Sequence, residues 1–505
     1  MSAVAGAEAI LPGLPPERVT NDLLERTLYA RDVAAVPALL TRPFFRTLPD
    51  LVARPADADQ VAAALRYARR HHLAVIPRAA ATTSYYNAVP VRGGLVLDVN
   101  GMRGLLALDR DRLAARVLPG TTWFELDEEL RRQGFAVRSY PSSAVAATAG
   151  GWLSTQGHGI GSLKYGPLGG QIVALQVVLA DGEVRALGRE SEPPADWFVG
   201  AEGTLGVVTE VTLAVRERPA AEAHHLFAFA DSESLAAGVL ALCRSECRPY
   251  TVFFADGGYL DLLVQAGFGV PLAPGGPAAA DAAAGQEGGG RGRPTPRRRE
   301  GGLLLASFQG EAAEVGRGKD TLLGLRGREL SPEQAWAEWA QRLFHLRCKR
   351  AGPSLLAAEQ WLPLEGLAGY LRAVQALSGR YRQPVGNYGF AVAPDRALVM
   401  SVYAADERRP LAYLAAIGLA KTLHDLGARF GGRPYGVGLW NTAYLPRLFA
   451  AAELAELRRR KALLDPTGIM NPGKLYQAPF PLRPLVFGPG ARALSVLHLA
   501  LRWGR

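Results

Sequence analysis

The sequence predicts an α+β protein built from two folding units, and three observations carry that prediction. Residues 54–218 alternate short helix and strand signals. Residues 220 to about 430 form a second stretch with strand and helix signals of its own, after Pro219 closes the first. The chain has 505 residues, 49% hydrophobic and 21% charged, which is too long for one small domain and too apolar for a disordered chain.

The elements of the first stretch follow from local chemistry. Asp57 caps a helix whose apolar stripe is Val61, Ala64, Leu65 and Ala68, and Gln60 gives the start the look of a capping box. Leu73–Ile76 reads as a buried strand ending at Pro77. A second helix starts at Thr122, with Glu125 three residues on, and stops at Gly134. Ile172–Leu179 is a strand, Asp181–Gly182 a hairpin turn and Val184–Leu187 the return strand. Val207, Thr209, Val211, Leu213 and Val215 share one face of a half-buried strand. Beyond 430, Gly431–Asn441 is loop-like, Ala452–Leu464 is helical, and residues 465–476 are dense in turn formers.

Composition removes several classes of function. The three cysteines, Cys243, Cys247 and Cys348, can neither staple a secreted scaffold nor hold an iron–sulfur cluster. The net charge is +10, yet lysine occurs only six times among 57 Lys and Arg residues, so 51 are arginine, a bias that fits a GC-rich genome. The dense basic cluster, Arg291 to Arg299, lacks aromatic residues, so nucleic acid is not an expected partner. Met1 to Pro16 lacks the pattern of a secretory signal, and no run of about 20 apolar residues suggests a membrane span.

Three motifs could carry chemistry. Arg78-Ala79-Ala80-Ala81-Thr82-Thr83-Ser84 directly follows a strand, and its small residues let backbone N–H groups converge on a phosphate. Pro141 to Gly166 is rich in Gly, Ser and Thr, with Trp152, Leu153, Ile160 and Leu163 interleaved; such a stretch can wrap a flat polar ligand. Gly200-Ala201-Glu202-Gly203-Thr204-Leu205-Gly206 leads into the alternating strand that carries Val208.

In this order and spacing the motifs resemble the FAD-binding domain of the vanillyl-alcohol-oxidase, or PCMH, type. The branch resembled holds the FAD-linked glycolate oxidase subunit, D-lactate dehydrogenases and alkyl-glycerone-phosphate synthase. Tyr29-Ala30-Arg31-Asp32, Pro49 to Pro55, Val117 to Gly120, Ala180 to Val184 and the ending Leu464 to Lys474 support the likeness, which spans about 25–476. It implies two α+β subdomains around FAD and a substrate-covering α+β cap with an antiparallel sheet. The expected divisions are an N-terminal segment 1–45, the FAD-binding domain 46–218, the cap 219–430 with a mobile loop at 271–302, a return segment 431–476 and a basic, apolar tail 477–505. Residues 78–84 would cradle the pyrophosphate. Pro141, Gly150, Gly151, Ser154, Gly157, Gly161 and Ser162 would line the flavin, Glu202, Gly206 and Val208 would contact it, and Asn471 and Lys474 would close the site. No loop offers His or Cys at a usual attachment position, so FAD is expected to be non-covalent.

The sequence departs from the branch at two places. The pyrophosphate loop normally carries three glycines where Ala79, Ala80 and Ala81 stand here; an alanine forced to positive φ costs about 1–2 kcal/mol. Asn87 stands near a further glycine of the pattern, and Asn tolerates that conformation. In the cap, hydroxy-acid members carry a histidine-containing metal stretch, whereas Gly386 to Asp395 here has no histidine. The eight histidines (71, 72, 158, 224, 225, 345, 424 and 498) include no ligand pair at a suitable spacing, so no catalytic metal is expected.

Tyr435 stands where a relative would have an acid–base histidine, and Arg433 two positions away could lower its phenol pKa; a plain wall residue is the alternative. His158 lies in a flavin-lining loop and otherwise simply satisfies loop backbone. Arg350, ahead of Glu359-Gln360-Trp361-Leu362-Pro363, could pair with a substrate carboxylate or belong to a solvated basic face.

The expected function is an FAD-dependent dehydrogenase of a small hydroxylated, 2-hydroxy-acid-like substrate. Its electrons would leave to an iron–sulfur, quinone or cytochrome partner. The alternatives are an alkyl-glycerone-phosphate-synthase-like flavoenzyme and an electron-transfer or regulatory flavoprotein subunit without its own substrate. A cytoplasmic location is expected, and the tail offers a means of peripheral membrane contact at the inner face.

Overall fold

The computed structural model describes residues 11–34, 44–270, 299, 301–475, 493 and 497. They divide into two units: one takes 11–159, 165–218 and 436–475, the other 160–164 and 219–435 with 493 and 497.

The first unit holds two sheets. Strands β1 (Val19–Thr20), β2 (Leu51–Ala53), β3 (Val75–Arg78) and β4 (Leu95–Asp98) form a sheet in the order β1-β2-β4-β3. β4 is parallel to both β2 and β3. The helix Ala58–Arg70 covers this sheet: Asp57 accepts from the Gln60 amide, and Val61, Ala62, Ala64, Leu65 and Ala68 are buried. The Gln60 side chain accepts from the amide of Ala56, one residue earlier than a capping box requires. β3 runs through Pro77 rather than ending there. It is the last strand in the order, so a residue without an N–H is tolerated.

The second sheet contains β5 (Leu105–Asp109), β6 (Ala114–Val117), β7 (Phe135–Val137), β8 (Ile172–Leu179), β9 (Val184–Leu187) and β10 (Gly206–Glu217). The order is β5-β6-β10-β8-β9, with β7 paired to β10. Trp123–Arg132 has the expected capping box from Thr122 and Glu125. Val178, Ala180 and Val207 from this sheet share one core with β2, β3, β4 and the Ala58–Arg70 helix.

The N-terminal segment, where it is described, packs with the first unit. Leu11 and Leu14 are buried in that same core, and β1 pairs with β2. The return segment joins it too: Ile469 and Met470 pack there, and Met470 bridges to Val75.

The second unit is built on an eight-stranded sheet of β11 (Ala221–Phe229), β12 (Thr251–Asp256), β13 (Gly302–Gly310), β14 (Arg328–Glu329), β15 (Ser354–Pro363), β16 (Gly386–Ala393), β17 (Arg396–Ala405) and β18 (Arg433–Pro434). Its order is β14-β11-β13-β12-β16-β17-β15-β18, and every pairing given is antiparallel. The helices Ser232–Arg244, Leu367–Arg380 and Pro410–Ala428 pack on one face through Val239, Leu371 and Leu419. Because β18 pairs with β15, the chain leaves this unit after Tyr435, later than the expected 430. Of the expected mobile loop 271–302, residues 271–298 and 300 lie outside the described residues, and Gly302 begins β13. The tail 477–505 also lies outside them, apart from 493 and 497.

Burial lowers three histidines of this unit: His224 to about 4, and His345 and His424 to about 3. Below an unfolded pKa of about 6.5 the unfolded chain takes up protons that these rings refuse. Stability therefore falls as the pH drops, by up to about 1.4 kcal/mol per pH unit for each fully buried ring. Asp256, raised to about 6 by burial, opposes this in part. The denaturant midpoint of this unit is expected to be lower at pH 5 than at pH 7. His345→Phe, placed among Phe253, Tyr388 and Phe390, is expected to make that dependence shallower.

Candidate cofactor site

The loop after β3 follows Arg78, whose guanidinium is committed to the protein itself. Its Nη1 donates to Arg31 O at 2.7 Å and Ala88 O at 3.2 Å, and the group lies over the Tyr29 ring. Arg78 thus pins the two chain segments flanking the loop, a role that sequence reasoning did not give it. Ala79 to Ser84 are half-buried, and none of their amides meets a partner among the described residues. Six adjacent N–H groups beside a strand end fit a phosphate-binding turn. Thr83 Oγ1 donates to Asn87 Oδ1 at 2.5 Å, which ties the loop's two halves.

Of the three alanines, only Ala81 takes positive φ, +51°, and the left-handed residue further on is Tyr86, not Asn87. Relief of about 1–2 kcal/mol at Ala81 is partly offset by the greater unfolded-chain freedom of glycine. Ala81→Gly is therefore expected to raise stability by about 0.5–1 kcal/mol, while Ala79→Gly and Ala80→Gly lower it by a similar amount. Chemical denaturation of the three variants checks this.

The second loop is organised by close packing. Gly150 and Gly151 sit in the short helix Ala149–Ser154, where a Cβ on Gly150 would come within 2.7 Å of Pro119. A Cβ on Gly157 would enter the Trp152 ring, and one on Gly159 would press on Tyr140 O and Pro141. These glycines serve protein packing as well as any approach by a ligand. Ser154 Oγ donates to Gly150 O at 2.8 Å, and its carbonyl accepts from the Glu202 amide. His158 Nδ1 lies 2.7 Å from Gln156 O in its own loop. Gly161, at φ +86°, and Ser162 belong to the short segment 160–164 that groups with the second unit. Gly206 opens β10 opposite Leu179, and Val208 pairs with Val177.

Glu202, Asn471 and Lys474 come together in the first unit, all buried. Asn471 Nδ2 donates to Glu202 O at 2.7 Å and Asn87 O at 3.0 Å, while its Oδ1 has no partner. Glu202 Oε1 accepts from the Gly438 amide at 3.0 Å, and Lys474 Nζ donates to Val89 O at 2.8 Å. Burial raises Glu202 to about 7 and lowers Lys474 to about 7, and each charge partly offsets the other's shift. Asp32 completes the group: burial raises it to about 7, against the pull of Lys474 and Arg78. Its only sequence signal was its place in Tyr29 to Asp32. This clasp joins segments near 32, 87, 202, 438 and 474 around the cradle loop. The unpartnered amides, the buried Asn471 Oδ1 and the small-residue turns fit a bound dinucleotide.

The remaining candidates lie in the second unit. The Tyr435 amide donates to Glu359 O at 3.1 Å, and its ring stands edge-on to Trp361 at 5.2 Å. Arg433 is exposed opposite Trp361, and no hydrogen bond or ion pair between it and Tyr435 is found among the described residues. Arg350 is exposed, with its guanidinium over the Phe268 ring. Among the described residues no group of three or more His, Cys, Asp or Glu side chains could hold a metal ion.

Comparison with known proteins agrees with this geometry. Residues 49–188 match the family described as FAD binding domain, and residues 218–475 match FAD linked oxidases, C-terminal domain. The glycolate oxidase subunit GlcD of Bacillus subtilis is 25% identical over 478 residues, 91% of this chain and 94% of that protein. The GlcD subunit of Escherichia coli K12 is 25% identical over 446 residues, covering 85% and 84%. A D-lactate dehydrogenase of Archaeoglobus fulgidus is 32% identical over 169 residues, covering 32% and 38%. In three dimensions the chain resembles p-cresol methylhydroxylase with substrate bound, at TM-score 0.72 and 17% identity over 91% of this chain and 94% of that one. It also resembles an alkyldihydroxyacetonephosphate synthase, at TM-score 0.71 and 19% identity over 91% and 84%. At such identities the two structures show the fold alone.

Proposed function

This chain belongs to the FAD-linked oxidases that join a PCMH-type FAD-binding domain to an FAD-oxidase C-terminal domain, and from that membership we propose that it is a dehydrogenase of a small hydroxylated substrate holding FAD without a covalent bond. The observation that carries the reading is the partnerless amide run Ala79 to Ser84 beside the clasp of Glu202, Asn471 and Lys474.

Bound FAD supplies a two-electron acceptor, so that an alcohol carbon gives up a hydride, its hydroxyl gives up a proton, and the C–O bond becomes a carbonyl. The chain's own residues do the rest. The amides of 79–84 receive the pyrophosphate, and Thr82 and Ser84 add hydroxyl donors. Lys474 and Asn471 hold the return segment against the cradle. Tyr435 is the proposed contact of the substrate hydroxyl. The curated relatives named for glycolate and D-lactate make 2-hydroxy acids the first substrates to try. Electrons are proposed to pass on to an external quinone, cytochrome or iron–sulfur partner. No helix among the described residues is long and apolar enough to cross a membrane.

Anaerobic mixing with a panel of alcohols and 2-hydroxy acids tests the reading. At least one compound is expected to bleach the flavin, and Tyr435→Phe to slow bleaching by about 10²-fold without releasing FAD. A flavin that dithionite reduces but no alcohol or hydroxy acid does would contradict it.

A further inference from the structure

The helix Ala451–Leu464 carries the run Arg458-Arg459-Arg460-Lys461. Lysine fills only six of the chain's 57 basic positions, yet it is the lysine of this run that turns inward, with 19% of its side chain exposed. Lys461 Nζ donates to Thr204 O at 2.7 Å, to Met470 O at 2.7 Å and to Asp465 Oδ2 at 2.5 Å. A compact ammonium serves three separate oxygens in this way, whereas a planar guanidinium does not. Asp465, whose side chain has no exposed surface, completes the clip. Its Oδ1 accepts from the Ile469 amide at 3.1 Å and its Oδ2 from the Met470 amide at 2.8 Å.

The two carbonyls belong to the segments that present Glu202 and Asn471. Thr204 lies two residues after Glu202, and Met470 immediately precedes Asn471. Glu202 and Asn471 both take left-handed backbone, at φ +48° and +39°. That conformation is unfavourable for glutamate and merely tolerated by asparagine, and it persists where surrounding bonds over-determine it. The clip is also tied to the strand that leads into the cradle loop. The Val75 amide donates to Ile469 O at 2.8 Å, and the Asn471 amide to Val75 O at 2.7 Å. All these residues lie in the first unit.

Asn471 is thereby aimed. Its Nδ2 is spent on Glu202 O and Asn87 O, and its buried Oδ1 has no partner among the described residues. A buried acceptor of this kind is costly unless a ligand or water supplies the donor. Lys461 has all three of its donors engaged, so it acts through other residues and not on a ligand directly.

We propose that Lys461, with Asp465, is a positioning residue of the cofactor site: it locks the Glu202 turn to the return segment, so that Asn471 Oδ1 stands ready to accept a hydrogen bond from FAD. The proposal rests on the FAD reading of this unit and adds to it a residue that shapes the site from behind.

Lys461→Met tests it beside Leu130→Ala, a fully buried position of the same unit on the helix Trp123–Arg132. Deflavinated full-length proteins are titrated with FAD under conditions where each is folded. The visible circular dichroism of the bound flavin is then recorded at saturation. K461M is expected to raise the Kd for FAD at least about tenfold and to alter the dichroism of the flavin. L130A, which loses stability by leaving a cavity, is expected to keep its Kd within about twofold and its dichroism unchanged. Asp465→Asn keeps an acceptor but not the ion pair; it is expected to raise Kd about threefold or more, and it decides the matter if K461M does not fold. A K461M protein with lowered denaturant midpoint but wild-type Kd and dichroism would overturn the proposal and leave the FAD reading standing. An equal loss of FAD in L130A would overturn it as well. Wild-type protein that takes up no FAD would remove the cofactor reading, and the proposal with it.

Discussion

Lys474→Met is expected to destabilise the first unit by about 3–5 kcal/mol and to release FAD from the purified protein. The ammonium is buried, donates to Val89 O at 2.8 Å and is the cation that draws down both Asp32 and Glu202. Without it, burial pushes both carboxyls above their present value of about 7. The folded variant then binds more protons than the unfolded chain from about pH 4 upward. Its stability should accordingly fall as the pH rises from 5 to 8. The double variant Lys474→Met/Glu202→Gln should recover part of the loss at pH 8 and show a shallower pH dependence. Denaturation with and without added FAD at both pH values reads each result. A single variant as stable as the wild type at pH 8 would mean that the three groups do not act together.

Gly438→Ala is the second large effect. Gly438 sits at φ +51°, and an added Cβ would strike the carbonyl oxygen of Tyr85 and approach its Cβ to 2.7 Å. The left-handed backbone costs about 1–2 kcal/mol for alanine, and the backbone clash raises the total to about 3 kcal/mol or more. Relief requires the return segment to move, which breaks the Gly438 amide's bond to Glu202 Oε1 and the Leu439 amide's bond to Tyr85 O. FAD affinity should fall together with stability, since Tyr85 directly follows the cradle loop. Gly170→Ala is the control: no atom lies within 4 Å of its added Cβ, and a change within about 0.5 kcal/mol is expected.

Elements set by short-range chemistry were legible in the sequence. Ile172–Leu179 and Val184–Leu187 are found with the expected bounds, and Gly182 takes the positive φ that its turn requires. Asp57 and Thr122 cap their helices through side-chain oxygens, as their spacing predicts. Pro77 misled because a proline is a strand breaker only where its missing N–H is needed, and β3 is the last strand of its sheet. β1 was not legible: two residues show no period, and its pairing with β2 is a long-range choice. The loop after β3 was readable as a run of small residues, but not which alanine carries the left-handed turn. Asp32 was named only within a motif. Lys474 lies hundreds of residues away, and nothing local marks an aspartate that will be buried beside a lysine.

The proposed FAD site is the loop 78–84 of the first unit together with the clasp around Lys474. Titrating deflavinated full-length protein with FAD, followed by the visible flavin spectrum after removal of free cofactor, tests it most directly. One tightly retained FAD per chain is predicted, lost in Lys474→Met. Protein that stays colourless after saturation with FAD would contradict that assignment.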